Sequence, residues 1–292
     1  MQKTIQNDVR VEGVGLHTGC DVSVVLRPAP VNTGVVFRRV DLQDFEIEAQ
    51  RRWVSRVVLA TTLMKRGVML STVEHLLSAV YGYGIDNLYV DIDSLEVPIL
   101  DGSALPFAAM LDDAGVVEQS EARTFLVVEE TIELKEPGKF ISIEPSDRFS
   151  ILYEIDFDHP AIGRQTLDLE ITSETYRDEI AFARTFGFFR EVEDLLKKGL
   201  IRGGSFDNAV VLGDDGIMNG ELRREDEFVR HKVLDLIGDI SLCGYPLIGR
   251  VHAYRAGHSL HTNLATEISR NKTSVRKVPE CELVEFVRAV NQ

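Results

Sequence analysis

Two short stretches of this sequence carry side chains suited to chemistry. In "EFVRHKVLDLIGD" (227–239) His231 and Asp235 stand four residues apart, a spacing that on a helix brings both side chains to one flank. That flank differs from the apolar stripe of Val233, Leu234, Ile237 and Ile240, so the pair is placed to meet a common ion. A surface His–Asp pair contributing a few tenths of a kcal/mol explains the same spacing. By spacing alone it is the simpler reading. In "STVEHLLSAV" (71–80) Glu74 and His75 are adjacent. Ser71 and Glu74 fit the Ser-x-x-Glu capping box, which would by itself explain the glutamate. His75 lies off the apolar face formed by Val73, Leu76, Leu77 and Val80. Near a helix start the dipole favours the neutral imidazole that binds metal. Two histidines and one carboxylate form a known catalytic zinc set, and an acid beside a ligand can serve as proton acceptor for water. The peptidase pattern HExxH is absent.

These residues need elements to hold them. Strand-like runs rich in β-branched and aromatic residues are "DVSVVLRP", "NLYVDID", "KFISIEP", "FSILYEIDF", "NAVVL" and "IGRVHAY". Apolar periodicity predicts helices over 71–81, 103–113, 188–198, 226–242 and 280–290. The polar "HTNLATEISRN" (261–271) is not among these clearest helical patterns. A chain of 292 residues exceeds the usual size of one core, and the polar "EQSEARTF" (118–125) is the natural seam. Domains over 1–122 and 123–292 follow. A helix, glycine turn and strand with an early histidine recurs in both halves, at "STVEHLLSAVYGYGIDNLYVDI" and "EFVRHKVLDLIGDISLCGYPLIGRVHAY". The repeat suggests that the third ligand comes from the other half.

Composition narrows the function classes. Charged residues make up 27% and hydrophobic residues 44%, the balance of a globular protein. A net charge of -15 argues against a nucleic-acid partner, which needs a basic footprint. No run is apolar enough to span a bilayer, so an integral membrane protein is not expected. "MQKTIQNDVRVEGVGL" lacks a signal-peptide layout. Cys20, Cys243 and Cys281 are dispersed with no CxxC, which points to a reducing, cytoplasmic setting. A monomer is the default expectation.

The motifs "STVEHLLSA", "GIDNLYVDID", "PILDGSALPF", "IAFARTFGF", "GGSFDNAVVL", "DEFVRHKVLDLIGD" and "AGHSLHTNLA" occur in that order. Together they resemble the UDP-3-O-acyl-N-acetylglucosamine deacetylases, metal-dependent amidases of lipid A biosynthesis, over nearly the whole chain. The resemblance implies an α+β fold of two similar domains, each a sheet with helices on one face. The helices of both would be sandwiched between the sheets, with the metal at the junction. It implies Zn2+, with Fe2+ also accepted by such a set, held by His75, His231 and Asp235. Glu74 would act as general base, Thr185 as donor to the developing oxyanion, and His258 as the acid that protonates the leaving amine. His258 and His261 are nearly indistinguishable by sequence, and only the family's "GH" selects the former. Asp101 would orient and charge that histidine, although a turn role before Gly102 and Ser103 explains it equally well. Lys232, projecting about 100° around the helix from His231, would meet the anionic part of the UDP-sugar substrate. Phe157 would stack on uracil and Asp156 would accept from the base. A β-α-β insertion at about 186–212 would line the acyl passage, with Phe186 and Phe188 near its mouth.

Overall fold

The computed structural model describes residues 1–283. One five-stranded sheet is built from Val9–Val14, Asp21–Pro28, Leu88–Ile92, Val35–Arg39 and Phe45–Glu48, in that spatial order. Its strands are antiparallel except for the central pairing of Leu88–Ile92 with Val35–Arg39. A seven-stranded sheet is built entirely from residues 124–279 and is organised on Leu247–Tyr254. That strand runs antiparallel to Lys139–Glu144 and parallel to Phe149–Phe157. Strict alternation gives each sheet one apolar face: Val22, Val24 and Leu26 are buried in the first, and Ile151, Tyr153 and Ile155 in the second. Among the described residues, no sheet draws strands from both sides of residues 119–123.

Among the described residues five helices of two turns or more complete the layers: α1 (Glu74–Gly82), α2 (Leu105–Ala114), α4 (Phe189–Lys197), α5 (Glu227–Ser241) and α6 (His258–Arg270); a single turn, α3, covers Ser173–Thr175. In α1 the polar Glu74, His75 and Ser78 are as buried as Leu76, Leu77 and Val80. In α5 burial runs nearly unbroken from Glu227 to Ile240. A helix covered on every side lies between layers rather than upon one, and α1 and α5 pack against each other there. Gly238 makes the approach possible, because a Cβ at that position would lie 2.1 Å from the Glu74 carbonyl oxygen. Likewise the ring of Tyr176 occupies the space where a Cβ on Gly82 would sit. The fold is α+β, as the sequence predicts. Among the described residues no helix is long and apolar enough to cross a membrane.

Two local readings change. Ser71 does not cap α1: it sits in an extended bridge to Glu96, and Val73 occupies the cap position without a side-chain bond. A left-handed Thr72 (φ 57°) turns the chain between them. The segment after His258 forms α6, thirteen residues long, with Leu260, Leu264 and Ile268 at four-residue spacing on its buried side. Its many polar residues hide that stripe from a composition-based reading. The helix predicted over 280–290 begins at Glu280, and beyond Leu283 it falls outside the described residues.

Candidate metal centre

His75 comes from the first turn of α1, and His231 and Asp235 from consecutive turns of α5. All three are buried, and their candidate ligand atoms lie within 4.8 Å of one another. Asp235 Oδ1 is 3.3 Å from His231 Nε2 and 3.8 Å from His75 Nε2. The imidazole rings meet edge to face at 5.1 Å. His231 Nδ1 donates to the Ala183 carbonyl at 3.1 Å, which leaves the Nε2 lone pair free and aimed at the cluster. Burial, reinforced by the neighbouring His231, depresses His75 to about 3, so its imidazole is neutral. Its Nδ1 is buried without a partner. A structural histidine at this depth would be hydrogen-bonded; this neutral ring has one lone pair to offer, and with Nε2 turned to Asp235 beside a second histidine it is suited to an ion. Burial opposes charge on Asp235, but His231 and Lys232 hold it well below the usual carboxylate range. The donor set fits a divalent metal. The surface-pair reading of His231 and Asp235 fails, since both side chains are almost fully enclosed.

Glu74 turns its carboxylate away from the helix end. Oε2 accepts the Thr61 backbone N–H at 3.1 Å, and Oε1 lies 3.8 Å from His258 Nε2. Burial raises Glu74 to about 8 against the pull of His258. His258 opens α6. Burial works against its charge, yet Asp239 and Asp235 outweigh that and lift it to about 10. It stays protonated at neutral pH.

The carboxylate that orients His258 is Asp239, not Asp101. His258 Nδ1 donates to Asp239 Oδ2 at 2.7 Å. Asp101 instead accepts from Arg223 at 2.8 Å and from the Ser103 hydroxyl at 2.7 Å, which fixes the turn ahead of α2. Asp239 also accepts from Thr61 Oγ1 at 2.5 Å and from His261 Nδ1 at 3.0 Å. His261 Nε2 lies 2.9 Å from the Tyr153 hydroxyl. The two histidines thus separate: His258 faces Glu74, while His261 is walled in behind Asp239 with no exposed surface. Asp239, Thr61 and Tyr153 were missed in the sequence. Asp239 was the readable one, four residues past Asp235 on the same flank of α5.

Lys232 folds back along α5. Its Nζ donates to Asp235 Oδ2 at 2.8 Å and lies 5.4 Å from the centre of the Phe186 ring. Phe186 also packs on Phe228, Phe157 and the His231 ring, and Phe188 packs on Phe157. Phe186–Phe188, α4 and Val210–Leu212 form a β-α-β unit with parallel strands. Thr185 precedes it, two residues beyond the Ala183 carbonyl that anchors His231. Thr185 is itself fixed by its backbone bonds to Gly102 and Val210. Strand alternation sends Asp156 away from Phe157, and Asp156 bonds the Tyr254 hydroxyl at 3.3 Å beside Arg255. The two residues therefore do not form one base-binding face.

A buried two-histidine, one-carboxylate centre flanked by a carboxylate and a charged histidine defines a metal-dependent hydrolase. The model of the UDP-3-O-acyl N-acetylglycosamine deacetylase (LpxC) family matches residues 2–270. A UDP-3-O-acyl-N-acetylglucosamine deacetylase of Nitrosococcus oceani is 47% identical over 277 residues, 94% of this chain and 91% of that protein. One of Geobacter sp. is 46% identical over 288 residues, covering 98% of this chain and 92% of its own length. One of Solibacter usitatus is 48% identical over 268 residues, covering 91% and 90%. The chain belongs to the UDP-3-O-acyl N-acetylglycosamine deacetylase family and is a hydrolytic deacetylase.

Proposed function

We propose that the chain hydrolyses the N-acetyl group of UDP-3-O-(3-hydroxyacyl)-N-acetylglucosamine, giving acetate and the free amine, the committed step of lipid A biosynthesis. The observation that carries this reading is the pairing of a raised carboxyl, Glu74, with a charged His258 beside the ligand set. His75, His231 and Asp235 would hold Zn2+, with Fe2+ an alternative. When bound, the ion supplies Lewis-acid chemistry, polarising the acetamide carbonyl and acidifying water.

In its carboxylate form, which prevails above a pH of about 8, Glu74 takes a proton from water as the water oxygen attacks the carbonyl carbon. Thr185 donates to the oxygen on which charge develops, where a positioned donor counts most. The C–N bond then breaks as His258 gives its Nε2 proton to the departing nitrogen, and Asp239 holds that ring in the required orientation. With Nε2 of His258 and Oε1 of Glu74 only 3.8 Å apart, the proton gathered by Glu74 can return to His258 and restore both groups. Lys232, half-exposed beside Phe186, would meet the anionic part of the nucleotide. Phe186, Phe188 and Phe157 form the apolar wall from which the acyl passage would lead into the insertion at 186–212, where Phe189, Leu196 and Phe206 remain exposed. Asp156 retains a role only at the rim, through Tyr254 and Arg255.

The domain boundary is placed between residues 122 and 123, and the working protein is taken to be a cytoplasmic monomer without a nucleic-acid partner. The test is acetate release from the acylated substrate beside UDP-N-acetylglucosamine, which lacks the acyl chain. Strong preference for the acylated compound is expected. Equal rates on both would remove the passage and this substrate from the account.

A further inference from the structure

A cavity of about 600 Å³ opens between residues of the two halves, and its lining includes none of the catalytic residues. That volume is within the range of small-molecule sites, roughly 300–1,000 Å³. Its walls include Tyr81 from the end of α1, Leu242 just after α5 and Ser269 near the end of α6. Helices α1 and α6 begin at the metal centre and end here, and α5 passes from one to the other. None of the metal ligands, Glu74 or His258 lines it.

The charge of this crevice is opposite to that of the molecule. Arg51, Arg52, Arg123, Arg270 and Lys277 line it with a single acid, Asp86, in a chain of net charge -15. Arg123 is matched by Asp86 at 2.9 Å, and Arg52 by Glu48 at 3.4 Å. Arg51 is pinned through Nε to the Thr262 carbonyl and the Thr266 hydroxyl. Among the described residues it has no carboxylate partner, and neither do Arg270 or Lys277; Lys277 lies 4.0 Å over the Tyr245 ring. Burial and then the charge of Arg270 depress Arg51, while the nearby Glu267 pulls the other way without bonding it. The carboxyl ends of three helices offset part of this charge, at about half a unit each.

We propose that this crevice is a second ligand site, which takes the phosphoryl group of a small phosphomonoester between Arg51, Arg270 and Lys277. Guanidinium forks grip phosphoryl oxygens two at a time, and the cavity has room for the organic part of the ester. A ligand held there touches elements of both halves at the far ends of the helices that carry the catalytic groups.

The test measures binding of AMP to the metal-loaded protein by titration calorimetry, with adenosine as the phosphate-free control. Saturable binding at one site is expected, absent with adenosine. It should weaken at least tenfold in Arg270→Gln/Lys277→Gln and persist in His75→Ala, which breaks the metal centre. The paired variant should keep wild-type acetate release, since neither residue lies near that centre. If it folds poorly, Arg51→Gln provides the same comparison. Absence of saturable binding, equal affinity in the variants, or loss of binding in His75→Ala would each overturn the proposal.

Discussion

Asp235 and Asp239 stand one turn apart on the same helix and do different work. The first faces two imidazoles as a candidate ligand; the second fixes His258 through its Nδ1 proton. Because the Asp239 charge is a main cause of the raised His258, Asp239→Asn should lower that group from about 10. Activity needs His258 protonated, so the alkaline fall in kcat/KM should move to lower pH; an unchanged alkaline limb would refute this assignment. Glu74→Ala should reduce kcat by about 10²–10⁴-fold, the usual contribution of a general base, while bound metal stays at one equivalent. Loss of metal in that variant would make Glu74 a ligand instead. At this scale the sequence revealed residue types but not partners. Glu74 looked like a cap because Ser71 stood three residues before it, and only the turn at Thr72 shows that the two never meet. The resemblance offered Asp101 as the partner of His258 beside an equal turn reading, and Arg223, 122 residues away, claims it.

The elements were legible where periodicity was strong. The buried stripe of α5 and the alternation of Phe149–Phe157 both appear in the sequence at nearly their observed bounds. Helix α6 did not, because its buried face mixes Leu260, Leu264 and Ile268 with His261, Thr262 and Thr266. His261 is buried against Asp239 of the site, while Thr262 and Thr266 satisfy their hydroxyls on carbonyls one turn earlier in the helix, so the buried face does not read as an apolar stripe. The contact of α1 with α5 is likewise invisible in either helix alone. It depends on Gly238, and a Cβ there would strike the backbone of Glu74 itself. Gly238→Ala should therefore cost about 1–3 kcal/mol by overpacking and displace His75 from its partners. Thermal denaturation and metal content of the purified variant check both effects. Full stability with one bound metal would show that the helices have room to spare.

On the scale of the whole molecule, neither half carries a complete centre. His75 and Glu74 come from the first, and His231, Asp235, Asp239 and His258 from the second. The faint repeat in the sequence hinted at this division, and the two sheets with α1 and α5 enclosed between them give it a physical form. The central claim is that these residues act together through one bound ion. Its most direct test is acetate release from UDP-3-O-(3-hydroxyacyl)-N-acetylglucosamine by protein stripped with a chelator, followed by stepwise return of Zn2+. Release should vanish with the metal and recover fully at one equivalent per chain. Undiminished release from protein with no detectable metal would contradict the account.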